Sequence, residues 1–194
     1  MDSVNKKLQS YHIILGSQSP RRRALIEMMD IKATTCVIDA DESFPLDMNV
    51  HDVAEFLAEK KSLAFGALQH RDLLITSDTT VLLNNEILNK PANAQEAAAM
   101  LHALSGNDHI VSTGVCIRST DKVVKFREET VVSFKTLTEE EIAYYVTKYE
   151  PLDKAGAYGI QEWIGAIGVK SIHGSYFNVM GLPTQRLYKE LCEF

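Results

Sequence analysis

A chain of 194 residues carries 20 lysines and arginines against 26 aspartates and glutamates, a formal net charge of −6, which argues against a general nucleic-acid or membrane-surface binder. Hydrophobic residues at 45% and charged residues at 24% fit an ordinary globular chain, long enough to bury a core without disulfides or a structural metal. Cys36, Cys116 and Cys192 are odd in number and form no C-x-x-C pair, so buried thiols are expected rather than a disulfide framework or a zinc site.

The first ten residues are polar, and Tyr11 to Leu15 is too short for the apolar core of a signal peptide. No stretch is long enough to span a bilayer. These features predict a loose tail over 1–10, a single domain over 11–194 and a cytoplasmic protein with no membrane partner.

Elements alternate along the chain. Tyr11 to Leu15 reads as a strand, and Arg21 to Met29 as a helix capped by Ser19 with Pro20 at its first position. Thr34 to Ile38 is a short strand. Val50 to Leu68 is a helix on the spacing of Val53, Phe56, Leu57, Leu63 and Ala64. Leu73 to Thr76 is a buried strand, and Thr80 to Leu83 pairs with Glu86 to Leu88 across Asn84-Asn85. Asn93 with Glu96 and Thr138 with Glu141 read as capping boxes for helices ending near Leu104 and Tyr149. His109 to Ile117, Lys122 to Phe134, Gly165 to Ile172 and Tyr176 to Met180 read as strands, and Pro183 to Leu191 as a closing helix. Intermixed strands and helices predict the α/β class with a mixed sheet.

Four segments carry chemistry. In the elbow Gly16-Ser17-Gln18-Ser19-Pro20 before Arg21, Arg22 and Arg23, a strand feeds a tight turn that opens a helix. Free N–H groups, hydroxyls and guanidinium forks there suit a phosphate; the plainer reading is a capped surface helix. Asp78, within Thr76-Ser77-Asp78-Thr79-Thr80-Val81, is expected at a strand's carboxyl end, where α/β proteins bind ligands. It suits either a metal or a proton from water, or else simply organises the bend. Lys90 before Pro91 is either a point charge for a phosphate, fixed on restricted backbone, or a solvated lysine. The run from Glu150 to Gln161 carries two glycines that admit close approach, and Gln161 has an amide that both donates and accepts. Asp39, Asp41 and Glu42 form an acidic cluster. Lys60 and Lys61 point about 100° apart on a helix, so one of them faces a given site. His109 and Trp163 read as structural.

Taken in order, these segments resemble the Maf family of nucleotide pyrophosphatases, from Ile13 to about Leu191. The signature S-x-S-P-R-R stands as Ser17-Gln18-Ser19-Pro20-Arg21-Arg22. The aspartate motif stands as Ser77-Asp78-Thr79-Thr80-Val81 and the lysine-proline as Lys90-Pro91. Leu104-Ser105-Gly106, Thr113-Gly114-Val115 and the stretch from Gly174 to Pro183 also fit. The run from Glu150 to Gln161 is similar to the branch that prefers dTTP and UTP. The resemblance implies an elongated body with a mixed, bent sheet flanked by helices, with two lobes and a central cleft, as in inosine triphosphate pyrophosphatases. It implies hydrolysis of nucleoside triphosphates to the monophosphate and pyrophosphate, with Mg²⁺, Mn²⁺ or Co²⁺ as cofactor. By position, Asp78 is catalytic. Ser17, Arg21, Arg22, Lys61, Thr79, Lys90 and Gln161 bind substrate; Arg21, Thr79 and Gln161 set base preference; Asp78 and Glu42 hold the metal. Family members often pair, so a homodimer is expected, with no nucleic-acid polymer as partner. Two other readings stand beside this one: a purine or methylated-nucleotide pyrophosphatase, and a non-catalytic nucleotide-binding regulator of cell division.

Overall fold

The computed structural model describes residues 8–194; residues 1–7 of the expected tail lie outside that range. Strands β1 (His12–Gly16), β2 (Thr34–Cys36), β3 (Asp72–Leu83), β4 (Glu86–Leu88), β5 (Asp108–Arg118), β6 (Val123–Phe134) and β7 (Val169–His173) form a seven-stranded sheet. Its order is β2-β1-β3-β5-β6-β7, with β4 pairing β3 beside that path. β1 lies parallel to β2 and β3, whereas β3–β4 and β6–β7 are antiparallel. The sheet is therefore mixed, as expected. Among the described residues, no helix is long and apolar enough to cross a membrane. All three cysteines are free, and only Cys116 is buried.

The chain divides into two compact units. Among the described residues, the first comprises those up to Asp78, with Thr113–Glu128 and Gly181–Phe194; the second comprises Thr79–Ser112 and Glu129–Met180. β3, β5 and β6 each contribute residues to both.

In the first unit, α1 (Pro20–Met28) starts as the sequence indicates. Ser19 is extended, its hydroxyl accepts from Arg22 N, and Pro20 takes the first turn. Leu25 and Ile26 are buried, and Asp30, at φ 58, turns the chain out of the helix. α2 (Val53–Ala64) buries Val53, Ala54, Leu57, Ala58 and Ser62, a stripe of helical period. It is shorter than the expected Val50 to Leu68. Gly66, at φ 84, lies just past its end and donates to Leu63 O, and an L side chain disfavours that conformation. Two contacts fix α2 on the sheet. Thr76 Oγ1 donates to Ala58 O at 2.6 Å. Gly114 on β5 has no room for a Cβ, which would meet the backbone of Ala54 and Glu55. α7 (Thr184–Glu193) closes this unit, burying Leu187 and Leu191.

In the second unit, β3 and β4 join through Asn84 and Asn85, both at positive φ (51 and 65), the conformation that a two-residue hairpin turn demands. α3 (Ala94–Leu104) and α4 (Glu139–Tyr149) bury Ala97, Leu101, Leu104, Ile142, Tyr145 and Val146 in one core with Phe134 and Tyr158. The Thr138–Glu141 capping box is complete. At α3 the expected box is displaced by one residue: Asn93 Oδ1 accepts from Glu96 N, but Glu96 Oε2 accepts from Ala92 N.

Three expectations are corrected. Gly165 to Ile172 begins not as a strand but as α5 (Trp163–Gly168), followed by β7. Ile164 and Ile167 are three apart, on one helical face, and Gly165 is tucked so close to Ile160 that a Cβ would meet its carbonyl. Tyr176 to Met180 is helical, as α6 (Tyr176–Val179). Ser175 Oγ caps it by accepting from Asn178 N, and buried Asn178 donates to Val111 O and Thr130 Oγ1. The third correction concerns Asp78, which lies mid-strand rather than at a strand's end. The segments expected as Leu73 to Thr76 and Thr80 to Leu83 are one strand. What does end there is its parallel neighbour: β1 pairs with Asp72–Thr76, and β4 pairs from Val81.

Candidate active site

The first unit gathers the elbow, α2 and the start of the aspartate motif. β1 ends at Gly16, where an added Cβ would meet the Ile38 side chain and would lie 2.9 Å from Thr76 Cγ2, so a larger residue would have to displace those side chains. Ser17 Oγ then accepts from Ser19 N at 3.2 Å and from Arg22 Nη1 at 3.5 Å. Arg22 is a strut. Its Nε donates to Gly181 O and its Nη1 to Ser77 O, each at 2.8 Å. Burial pulls the Arg22 guanidinium pKa below its ordinary value, and the nearby Asp78 carboxylate opposes that shift. Arg22 thus holds the backbone immediately before Asp78. Arg21 lies partly exposed on the first turn of α1, and Arg23 is exposed.

Lys61 Nζ is the centre of the group. It lies 2.5 Å from Asp78 Oδ1 and 2.7 Å from Glu42 Oε1. The Lys61 and Asp78 side chains are 15% and 13% exposed, against 52% for Glu42, so Glu42 is the solvent-facing arm. The adjacent lysine goes elsewhere: Lys60 Nζ donates to Asp41 Oδ2 and Ser43 O, each at 2.8 Å. Hydrogen bonds from Lys60 and Ser43 hold the Asp41 carboxyl below the usual carboxylate range. Consecutive lysines therefore grip consecutive acidic residues, and the 100° step between them decides which one reaches Asp78.

The donor set bears on a metal. Asp78 and Glu42 already share one cation, the Lys61 ammonium. Among the described residues, no group of three or more His, Cys, Asp and Glu is placed to hold a metal ion. Two carboxylates cannot make a closed protein cage. They fit a hard cation such as Mg²⁺, whose remaining sites are filled by water and substrate phosphates.

The second unit holds Thr79, Lys90 and Gln161. Gly156, at φ 67, lies against Val81, where a Cβ would be 3.0 Å from Cγ1, and its N–H donates to Asn89 O. The loop that leads to Gln161 is thus tied to the hairpin that bears Thr79 and to the residue before Lys90. Lys90 and Gln161 are exposed and Thr79 is half-buried. His109 is buried, with Nε2 2.7 Å from Tyr158 Oη, and burial lowers its pKa to about 4. It is structural, as expected. Trp163 packs edge-on against Tyr144 at the rim of the core.

The sequence profile described as Maf-like protein matches residues 12–194. The chain belongs to the Maf family. A relative from Parabacteroides distasonis, described as a dTTP/UTP pyrophosphatase, is 51% identical over 191 residues, 97% of this chain and 99% of that protein. Another from Bacteroides thetaiotaomicron, with the same description, is 48% identical over 186 residues, 95% of this chain and 96% of that one. A HAM1 protein from Coxiella burnetii superposes with a TM-score of 0.49 at 12% identity, covering 95% of this chain and 100% of the other.

Ser17, Arg22, Glu42, Lys61 and Asp78 come together in the first unit, although they span four separate stretches of sequence. Three supporting groups are not marked by any motif. Thr76, whose bond to Ala58 O sets the register of α2 one turn before Lys61, stood in a strand with no sign of its partner. Buried Lys154, paired with Asp153 and Glu162, lies in a run whose composition suggests only a loop. Only Tyr145 gave a signal: on the apolar stripe of α4, its hydroxyl had to find a partner.

Proposed function

We propose that this Maf-family chain hydrolyses nucleoside triphosphates, dTTP and UTP in preference, to the monophosphate and pyrophosphate. The observation that carries this reading is the Lys61–Asp78–Glu42 cluster beside the serine-arginine elbow. It is supported by relatives at 46–51% identity described as dTTP/UTP pyrophosphatases.

The chemistry follows from the side chains. Water attacks the α-phosphorus, the bond to the bridging oxygen breaks, and pyrophosphate leaves. Lys61 engages Asp78 through Oδ1; the second carboxylate oxygen takes the proton of the attacking water. Ser17, Arg21 and Lys90 bind the phosphates. Arg22, spent largely on carbonyls, contributes buried positive charge and keeps Asp78 in place. Glu42 and Asp78 would hold the divalent metal, which supplies Lewis-acid polarisation of phosphoryl oxygens when bound. In the second unit, Thr79 and Gln161 read the base: an amide that donates and accepts pairs with a uracil or thymine edge, and a mismatched edge leaves buried polar groups unsatisfied.

The test is a panel of nucleoside triphosphates, normal and modified, scored separately for pyrophosphate and orthophosphate with Mg²⁺, Mn²⁺, Co²⁺ and chelator. Pyrophosphate release led by dTTP and UTP, and lost with chelator, is expected. A purine or methylated-base preference would overturn the substrate assignment, and nucleotide binding without turnover would make the chain a regulator.

A further inference from the structure

We propose that Gly159, Tyr145, Glu162 and Lys154 set the position of the Gln161 amide and are thereby specificity-determining positioning groups for the pyrimidine base; the inference rests on the base-reading role proposed for Gln161. All four belong to the second unit. Glu162 N donates to Gly159 O at 3.0 Å, which closes a four-residue turn with Gln161 at its third position. A single phenol holds both flanks of that turn. Tyr145 Oη accepts from Gly159 N at 3.0 Å and donates to Glu162 Oε2. The other Glu162 oxygen, Oε1, lies 3.1 Å from Lys154 Nζ, which also contacts Asp153 Oδ1 at 2.7 Å.

The centre of the bracket is buried. Tyr145 is fully buried and the Lys154 side chain is 8% exposed. A buried ion pair is often no more stabilising than well-packed hydrophobic groups, so stability alone gives little reason for a lysine, a glutamate and a phenol here. What the three share is the short turn that carries Gln161. Burial and the Glu162 carboxylate raise the Tyr145 pKa, which keeps the hydroxyl protonated as a donor.

Gly159 completes the device. A Cβ there would come 3.0 Å from Gln161 Nε2 and 2.9 Å from Glu162 Cδ. Gln161 Nε2 is the end of an exposed, flexible side chain, so an added methyl moves the amide without forcing the backbone, while it presses on the carboxylate that Tyr145 and Lys154 hold. Gly159 also lacks the positive φ that would strain an alanine. Gly159→Ala is therefore a displacement of Gln161 at little cost to folding.

The experiment measures kcat and KM for UTP, dTTP, CTP and GTP, with melting temperatures, on the full chain. The variants are Gly159→Ala, Tyr145→Phe, Gln161→Ala and, as a packing control, Ile164→Val. Gly159→Ala should melt near wild type and lower the UTP-to-CTP ratio of kcat/KM about tenfold, the equivalent of one hydrogen bond, with the loss chiefly in KM. Tyr145→Phe should lower the same ratio, and Ile164→Val should keep it even where its melting temperature falls. The inference is overturned if Gln161→Ala collapses the ratio while Gly159→Ala and Tyr145→Phe stay within twofold of wild type. It is equally overturned if Ile164→Val lowers the ratio as much as they do, since that is general loosening. If wild type shows no preference, or Gln161→Ala retains it, the base-reading role itself fails and the inference falls with it.

Discussion

Adjacent lysines on one helix have unlike tasks. Lys61 is shared by Asp78 and Glu42 with little exposure, while Lys60 ties the more exposed Asp41 and Ser43. Exposed pairs are worth little, whereas charges in a partly desolvated site act on the transition state. Asp78→Asn and Lys61→Met should each lower turnover by about 10²–10³ with unchanged circular dichroism. Lys60→Met should change it less than about threefold. Steady-state kinetics on the three variants decides, and equal losses at Lys60 and Lys61 would contradict the division of labour. His109 makes a different prediction. Its folded pKa of about 4 lies below the ordinary 6.5 because burial disfavours the imidazolium. As pH falls through 6.5 the unfolded chain takes up a proton that the folded chain refuses. Stability is then fully present above 6.5 and is lost on the way to about 4, by on the order of 3 kcal/mol. The stability difference between wild type and His109→Gln, from urea titrations, should therefore shrink as pH drops from 6.5 to 4. A constant difference would show that His109 does not titrate this way.

Elements are joined by close approaches that a side chain would block. Gly114 lets the first turn of α2 lie on β5 against the backbone of Ala54 and Glu55. Gly114→Val must push a helix rather than a side-chain end, so a loss of about 1–3 kcal/mol is expected in urea denaturation; a neutral variant would mean that α2 has slack. This scale also shows what the sequence could reveal. Caps, hairpin asparagines and apolar stripes are local, and α1, α4 and the β3–β4 turn form where Ser19, Thr138 and Asn84-Asn85 place them. The errors fell where a short apolar run fits two periods. Ile167 and Val169 alternate as in a strand, Ile164 and Ile167 share a face as in a helical turn, and the folding of Gly165 onto Ile160 decides between them. Asp78 is ambiguous for a related reason: the polar run Thr76 to Thr80 interrupts an apolar strand without ending it. The motif residues were legible as types, but Thr76 on Ala58 and Lys154 on Glu162 are pairings over distance that no spacing reports.

At the scale of the whole molecule, a net charge of −6 must accept a polyanion. That requires positive charge to be local, and the first unit sets Lys61 and Arg22 beside two carboxylates, with Arg21 next to Arg22 on the first turn of α1. The Maf assignment rests on nearly the full length of the chain. Which bond is cut rests on the proposed roles of Asp78 and Lys61. Hydrolysis of UTP in ¹⁸O-labelled water, with the products resolved by mass spectrometry, tests this most directly. The predicted result is label in UMP and none in pyrophosphate, because water attacks the α-phosphorus. Label in pyrophosphate, or release of UDP and labelled orthophosphate, would contradict it.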